Sequence, residues 1–233
     1  MARGTGRGFK IPARNKHKTL AIMKENLEQE LNYLGSNIEL TDYNTIERGL
    51  KFYLRFELGD PFDNGTKERV KQATKRASEL FENHFEKDSE LYIIIYDFID
   101  EMFVQTPNYI YELLKLGDIE TEKFEENLAT RYFDHEDNIG RIKGKLTICK
   151  AEINRINYQE IFRGIANTEM GFSPTIHQLV YFFHPKTKKW FWMYDDRGCL
   201  MFSNEITCLK SSIVKFDKWI VESQRKVMEK QFE

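Results

Sequence analysis

The chain has no hydrophobic run long enough to cross a bilayer. Its longest uninterrupted apolar stretch is Leu91 to Tyr96, against the roughly 20 residues that a membrane-spanning helix needs, and no apolar segment near its N-terminus reads as a secretory leader. A soluble, cytoplasmic protein is expected. Cysteine is scarce too. Cys149, Cys199 and Cys208 are odd in number and share no metal-ligand spacing, which points to free thiols in a reducing compartment, most simply as small buried apolar groups. The five histidines form neither an HExxH pair nor a cluster with cysteine, so the sequence patterns of zinc sites are missing. Ser173 and Ser203 lack the GxSxG context of a nucleophile elbow. Gly4-Thr5-Gly6-Arg7-Gly8 follows no strand and is only half a phosphate loop. No cofactor is implied. With no internal repeat and no Pro/Ser-rich linker, one domain is expected.

What is present begins with charge. The net charge is −2, yet the first 18 residues carry Arg3, Arg7, Lys10, Arg14, Lys16 and Lys18 and no acid, which leaves −8 for the remainder. The sequence therefore reads as a disordered basic arm over 1–18 followed by an acidic globular domain over 19–233. An acidic body suits a basic partner, and the arm offers a route to phosphate.

Apolar periodicity lays out the domain. Leu20, Met23, Leu27, Leu31 and Leu34 recur at helical spacing, predicting a helix from Thr19 to Leu34 that stops at Gly35. In Leu50 to Leu58, Phe52, Leu54, Phe56 and Leu58 alternate with Tyr53, Arg55 and Glu57, the period-2 pattern of a strand with one buried face. Gly59, Asp60, Pro61 and Asn64-Gly65 then break the chain. Thr66 caps a helix whose apolar face runs from Val70 to Phe85, and Leu91 to Phe98 reads as a central strand, apolar on both faces. This strand-helix-strand succession predicts a right-handed crossover with parallel strands.

The middle is harder to read. Pro107 opens a short helix through Leu116, Phe124, Leu128 and Tyr132 predict another within Glu120 to Asp137, and Lys145 to Ile153 is a candidate strand. Asn157 with Glu160 suggests a capping box for a helix that ends near Gly171. From Ile176 to Phe202 the aromatic content is highest, predicting a three-stranded meander: a hairpin turning at Pro185 to Lys188, then a strand from Gly198. A long helix from Phe216 to Phe232 follows, docking Phe216, Trp219, Ile220 and Val227 on the sheet. The expected class is α+β, a single domain with a mixed β-sheet and a C-terminal aromatic meander, packed by several helices.

The candidate binding residues are Arg55, Glu57, Asp195, Asp196 and Arg197. Opposite charges at these strand and corner positions suit one charged network on the sheet face, because a half-buried charge needs a partner. Asp-Asp-Arg-Gly is also good turn chemistry. Carboxylates at Glu57, Asp195 and Asp196 leave open a metal-dependent phosphodiesterase. Trp190 and Trp192 with Lys186, Lys188 and Lys189 leave open base stacking on nucleic acid. Asp134, His135, Glu136 and Asp137 read as a solvated loop.

Tyr53-Leu54-Arg55-Phe56-Glu57-Leu58-Gly59, the helix carrying Arg76-Ala77 and Leu80-Phe81, Tyr194-Asp195-Asp196-Arg197-Gly198 and the late Trp219-Ile220 together resemble a bacterial family known as a domain of unknown function. The resemblance spans residues 50–232 and rests mainly on the RFELG and YDDRG words. It implies a compact bacterial cytosolic protein with no established reaction, and by analogy of fold a binding or immunity-type partner of another protein.

Overall fold

The computed structural model describes residues 13–33, 37–99, 108–130 and 140–233. Its scaffold is one seven-stranded sheet in the order β1-β7-β6-β5-β2-β4-β3. The strands are β1 (Phe52–Glu57), β2 (Glu90–Phe98), β3 (Thr121–Thr130), β4 (Gly140–Glu152), β5 (Leu179–His184), β6 (Lys189–Asp195) and β7 (Gly198–Ser203). The helices are α1 (Ala13–Tyr33), α2 (Asn44–Gly49), α3 (Lys67–His84), α4 (Tyr109–Leu116), α5 (Tyr158–Met170), α6 (Thr207–Lys215) and α7 (Arg225–Glu229).

Both faces of the sheet are covered, which is why its central strands are apolar throughout. Leu54, Phe56, Ile93, Ile95, Phe182 and Phe191 bury one face against α3 to α6. Ile94, Tyr96, Tyr181, Phe183, Trp190 and Trp192 bury the other beneath Leu27 and Leu31 of α1 and the segment around α2. The helix α3 starts as expected, with the Thr66 hydroxyl accepting from the Arg69 amide. Phe81, on its buried face, meets Phe162, Phe182 and Phe191 edge-on. The aromatic meander forms as expected, and Lys188 turns the hairpin at a positive φ of 55°. Gly171 closes α5 in the left-handed region.

Several expectations are corrected. Every strand pairing is antiparallel, so the sheet is not mixed. Strands β1 and β2 run in the same direction, but the whole meander lies between them. At about 27 Å, an 18-residue helix is long enough to cross four strand spacings of about 19 Å in all. The segment predicted as a helix around Phe124 and Leu128 is strand β3. A spacing of four satisfies a strand face as well as a helix face, and the burial of Glu122 and Leu128 with the partial burial of Phe124 shows the period of two.

The helix α1 begins at Ala13, so residues 13–18, expected within the arm, are helical; residues 1–12, the rest of that expected arm, lie outside the described residues. So do Gly35, Pro107, Tyr132 and the cluster Asp134 to Asp137. Asn157 makes no side-chain cap, and the Glu160 carboxylate that would close the box is held by Tyr109 and Arg163 instead.

The long C-terminal helix does not form. After α6 the chain is extended at Ile220, where it lies along the outer edge of β1: Ile220 bridges Phe56, and the Val221 amide donates to the Arg55 carbonyl at 3.1 Å. A continuous helix would leave that edge unpaired. Met228 Sδ accepts from the Arg55 amide at 3.1 Å and Gln231 Oε1 from the Tyr53 amide at 3.0 Å. Phe216 and Ile220 are buried, Trp219 is only partly buried and Val227 is exposed.

Candidate functional site

The RFELG and YDDRG words meet in space. Antiparallel pairing of β1 with β7 sets Phe56 opposite Cys199 and Glu57 opposite Gly198. Beyond the strand ends the Leu58 amide donates to the Arg197 carbonyl at 2.9 Å. Gly198 is required by this approach, since a Cβ there would lie 2.7 Å from the Phe56 carbonyl oxygen and against the Tyr194 hydroxyl. A bulge between Met193 and Asp195 turns β6 into the corner.

The predicted site residues separate into four arrangements. Asp195 is buried and folds the corner: Oδ1 accepts from the Arg197 amide at 2.7 Å and Oδ2 from Arg197 Nε at 2.7 Å. This is the Asx turn expected of such a sequence. That hydrogen bond and the Asp195 charge hold the Arg197 guanidinium above its ordinary range, while most of the Arg197 side chain faces solvent. Asp196, 1% exposed, pairs with Arg69 Nε of α3. Arg55 donates from Nε to the Tyr194 hydroxyl at 2.9 Å and packs its guanidinium over the Tyr194 ring. Glu57 is half-buried; its carbonyl accepts from Arg76 at 3.2 Å. Burial lowers the Arg76 pKa, against the raising influence of Asp60, Glu57 and Glu79.

The single network expected of Arg55, Glu57, Asp196 and Arg197 is therefore not formed. Arg55 bonds to Tyr194, Asp196 to Arg69 and Arg197 to Asp195, and two of those partners, Arg69 and Tyr194, escaped the sequence reading. Arg69 sits at the first turn of a helix whose start was legible, so its proximity to the corner depends on chain crossing alone. The two aspartates engage different arginines, and among the described residues no three His, Cys, Asp or Glu side chains are grouped as metal ligands. The base-stacking arrangement is also corrected: Trp190 and Trp192 are buried beneath α1, and Lys188 and Lys189 bond to Glu30 and to the His84 carbonyl.

The corner displays the loop that joins β1 to α3. Arg69, besides holding Asp196, donates through Nη1 to the Phe62 carbonyl at 2.7 Å. Gln72 donates to the carbonyls of Gly59 and Asp60, and the Phe62 amide donates to the Gly59 carbonyl at 3.1 Å. The Thr66 hydroxyl donates to the Asp63 carbonyl at 2.7 Å. These bonds fix the backbone, while the Phe62 ring is 39% exposed between exposed Asp60 and Asp63. The loop was legible in the sequence as a chain break; its display of an aromatic was not.

A second polar grouping lies near the other end of the sheet. Asp97, Asn108, Tyr111, Lys123, Glu125 and Lys145 line a cleft of about 160 Å³. Asp97 pairs in register with Lys145, and Lys145 with Glu125, giving a row of alternating charge across three strands. Burial raises the Asp97 pKa, opposed by hydrogen bonds from Tyr111 and Gln178. Asp97 is the one charged residue in the strand LYIIIYDF, a signal that sequence reading passed over.

Fold and site define an α+β protein built on one antiparallel sheet, with a charged corner where β6 turns into β7. The chain belongs to the DUF3885 family, described as a domain of unknown function, whose model matches residues 31–224. No curated protein and no solved structure matches the chain. No helix of the described residues is long and apolar enough to cross a membrane.

Proposed function

We propose that this is a non-enzymatic binding module, a bacterial cytoplasmic protein of immunity type, which engages a basic protein partner through the loop over residues 59–65. The observation that carries the proposal is the exposed Phe62 ring flanked by Asp60 and Asp63 on a backbone already held by hydrogen bonds. An aromatic anchor with a charged rim is the composition of an interface hot spot, and a fixed backbone lowers the entropy cost of binding. The charged corner supports the loop rather than performing chemistry, since Asp195 and Asp196 are held by Arg197 and Arg69. A reducing compartment is consistent with the thiols: burial pushes Cys149 up to about 12, and Cys199 is raised for the same reason.

The test compares immobilised wild-type protein with Phe62→Ala in capture from the native host, followed by calorimetry with the purified partner. Loss of a hot-spot aromatic should weaken binding by about 2 kcal/mol or more, and added salt should slow association. Unchanged affinity of Phe62→Ala for a partner bound by the wild type would overturn the proposal.

A further inference from the structure

The two edges of the sheet are treated differently. The β1 edge is covered by the protein's own C-terminal segment, through the Val221 amide, Met228 Sδ and Gln231. The β3 edge ends the sheet on the other side. There the Ala129 amide donates outward, to the Thr41 carbonyl at 2.9 Å. Outward-pointing backbone alternates along an antiparallel strand, so Thr121, Lys123, Glu125 and Asn127 also turn their amides and carbonyls away from β4. None of these four amides has a hydrogen-bond acceptor among the described residues, and Lys123, Glu125 and Asn127 are exposed. Of the outward carbonyls, that of Asn127 accepts from Arg141 Nη1 at 3.1 Å and keeps a second lone pair for another donor; the stretch free to pair among the described residues is thus Thr121 to Asn127, and its midpoint is Phe124.

We propose that this edge pairs antiparallel with the same edge of a second copy, about a two-fold axis at Phe124, extending one sheet through both protomers. Charge favours this occupant. A lysine on a sheet edge ordinarily discourages pairing, but here Lys123 and Glu125 are placed symmetrically about Phe124, so the axis sets each Lys123 opposite the other copy's Glu125 and Thr121 opposite Asn127. Opposite charges facing each other across strands stabilise a pair, and like charges oppose it. The axis also brings Glu122 near Glu126, but these are answered within each protomer: Glu122 accepts the Met23 and Lys24 amides, and Glu126 pairs with Lys24 Nζ at 2.8 Å. The facing residues that point outward would exchange backbone hydrogen bonds in pairs, and an interface that presents the same patch from both subunits closes at the dimer.

Sedimentation velocity over a wide concentration range tests the pairing on the full chain. The wild type should dimerise, and Lys123→Glu or Glu125→Lys should each weaken the dimer roughly tenfold, because either change creates two like-charged pairs. The double variant Lys123→Glu/Glu125→Lys should restore it. Both positions are exposed, so circular dichroism should show every variant folded. In a second measurement, Phe124→Cys should form an intersubunit disulfide on oxidation that the wild type does not form, because residues at the axis face each other at the closer inter-strand spacing. A wild type that stays monomeric at every concentration would overturn the proposal, leaving the edge to another protein's strand. A dimer indifferent to the charge swaps, or a Phe124→Cys variant that does not cross-link, would also overturn it. Phe62 lies at the other end of the sheet, so Phe62→Ala should leave the dimer intact, and the two proposals fail separately.

Discussion

Arg69 Nε donates to Asp196 Oδ2, joining the first turn of α3 to the corner after β6 through a pair whose side chains are 12% and 1% exposed. The same guanidinium holds the Phe62 carbonyl, so one buried ion pair ties the helix, the corner and the displayed loop together. Removing one partner of a buried pair leaves the other charge desolvated and unanswered, at a cost of about 3 to 5 kcal/mol.

Arg69→Met should therefore lower unfolding free energy in urea by an amount in that range. Arg55→Ala removes a half-buried side chain with one hydrogen bond to Tyr194, for which about 1 kcal/mol is expected. Equal losses for the two variants would show that Arg69–Asp196 is not the anchor.

Gly198→Ala should destabilise by about 1 to 3 kcal/mol, because the added methyl meets the Phe56 carbonyl of the paired strand as well as the Tyr194 hydroxyl. Shortening Tyr194 to Phe relieves only the hydroxyl contact, so the double variant should recover part of the loss. Thermal unfolding of the two variants decides this; full recovery would mean that the backbone contact does not matter.

His84 is fully buried, and its Nε2 donates to the Trp190 carbonyl at 3.0 Å. Burial, with Lys189 close by, depresses its pKa from 6.5 to about 3. Between these values the unfolded chain binds a proton that the folded protein refuses, so stability is present in full above about pH 6.5 and is lost as pH falls toward 3. The slope from this group approaches about 1.4 kcal/mol per pH unit. Asp97 acts in the opposite sense: its raised pKa favours the folded state at low pH and stabilises less as pH rises. Urea titrations at several pH values on the wild type and His84→Gln should show a shallower acid loss in the variant. An identical pH dependence would remove His84 as a source.

The sequence by itself determined the elements whose burial follows one short period. The alternation over Leu54, Phe56 and Leu58, the face from Val70 to Phe85 and the run from Leu91 to Tyr96 report local geometry, because side-chain direction repeats every two or 3.6 residues. The turn role of Asp195 was equally local, set by bonds to a residue two positions away. It could not tell strand from helix at Phe124 and Leu128, where a spacing of four serves both.

Tertiary structure decided the rest. Arg69 lies 127 residues from Asp196 and Arg55 139 from Tyr194, so these partners are fixed by the insertion of the meander between β1 and β2, which no period encodes. The break in the C-terminal helix has the same origin. Backbone groups on the β1 edge need hydrogen-bond partners, and the segment from Ile220 to Gln231 supplies them by giving up continuous helix.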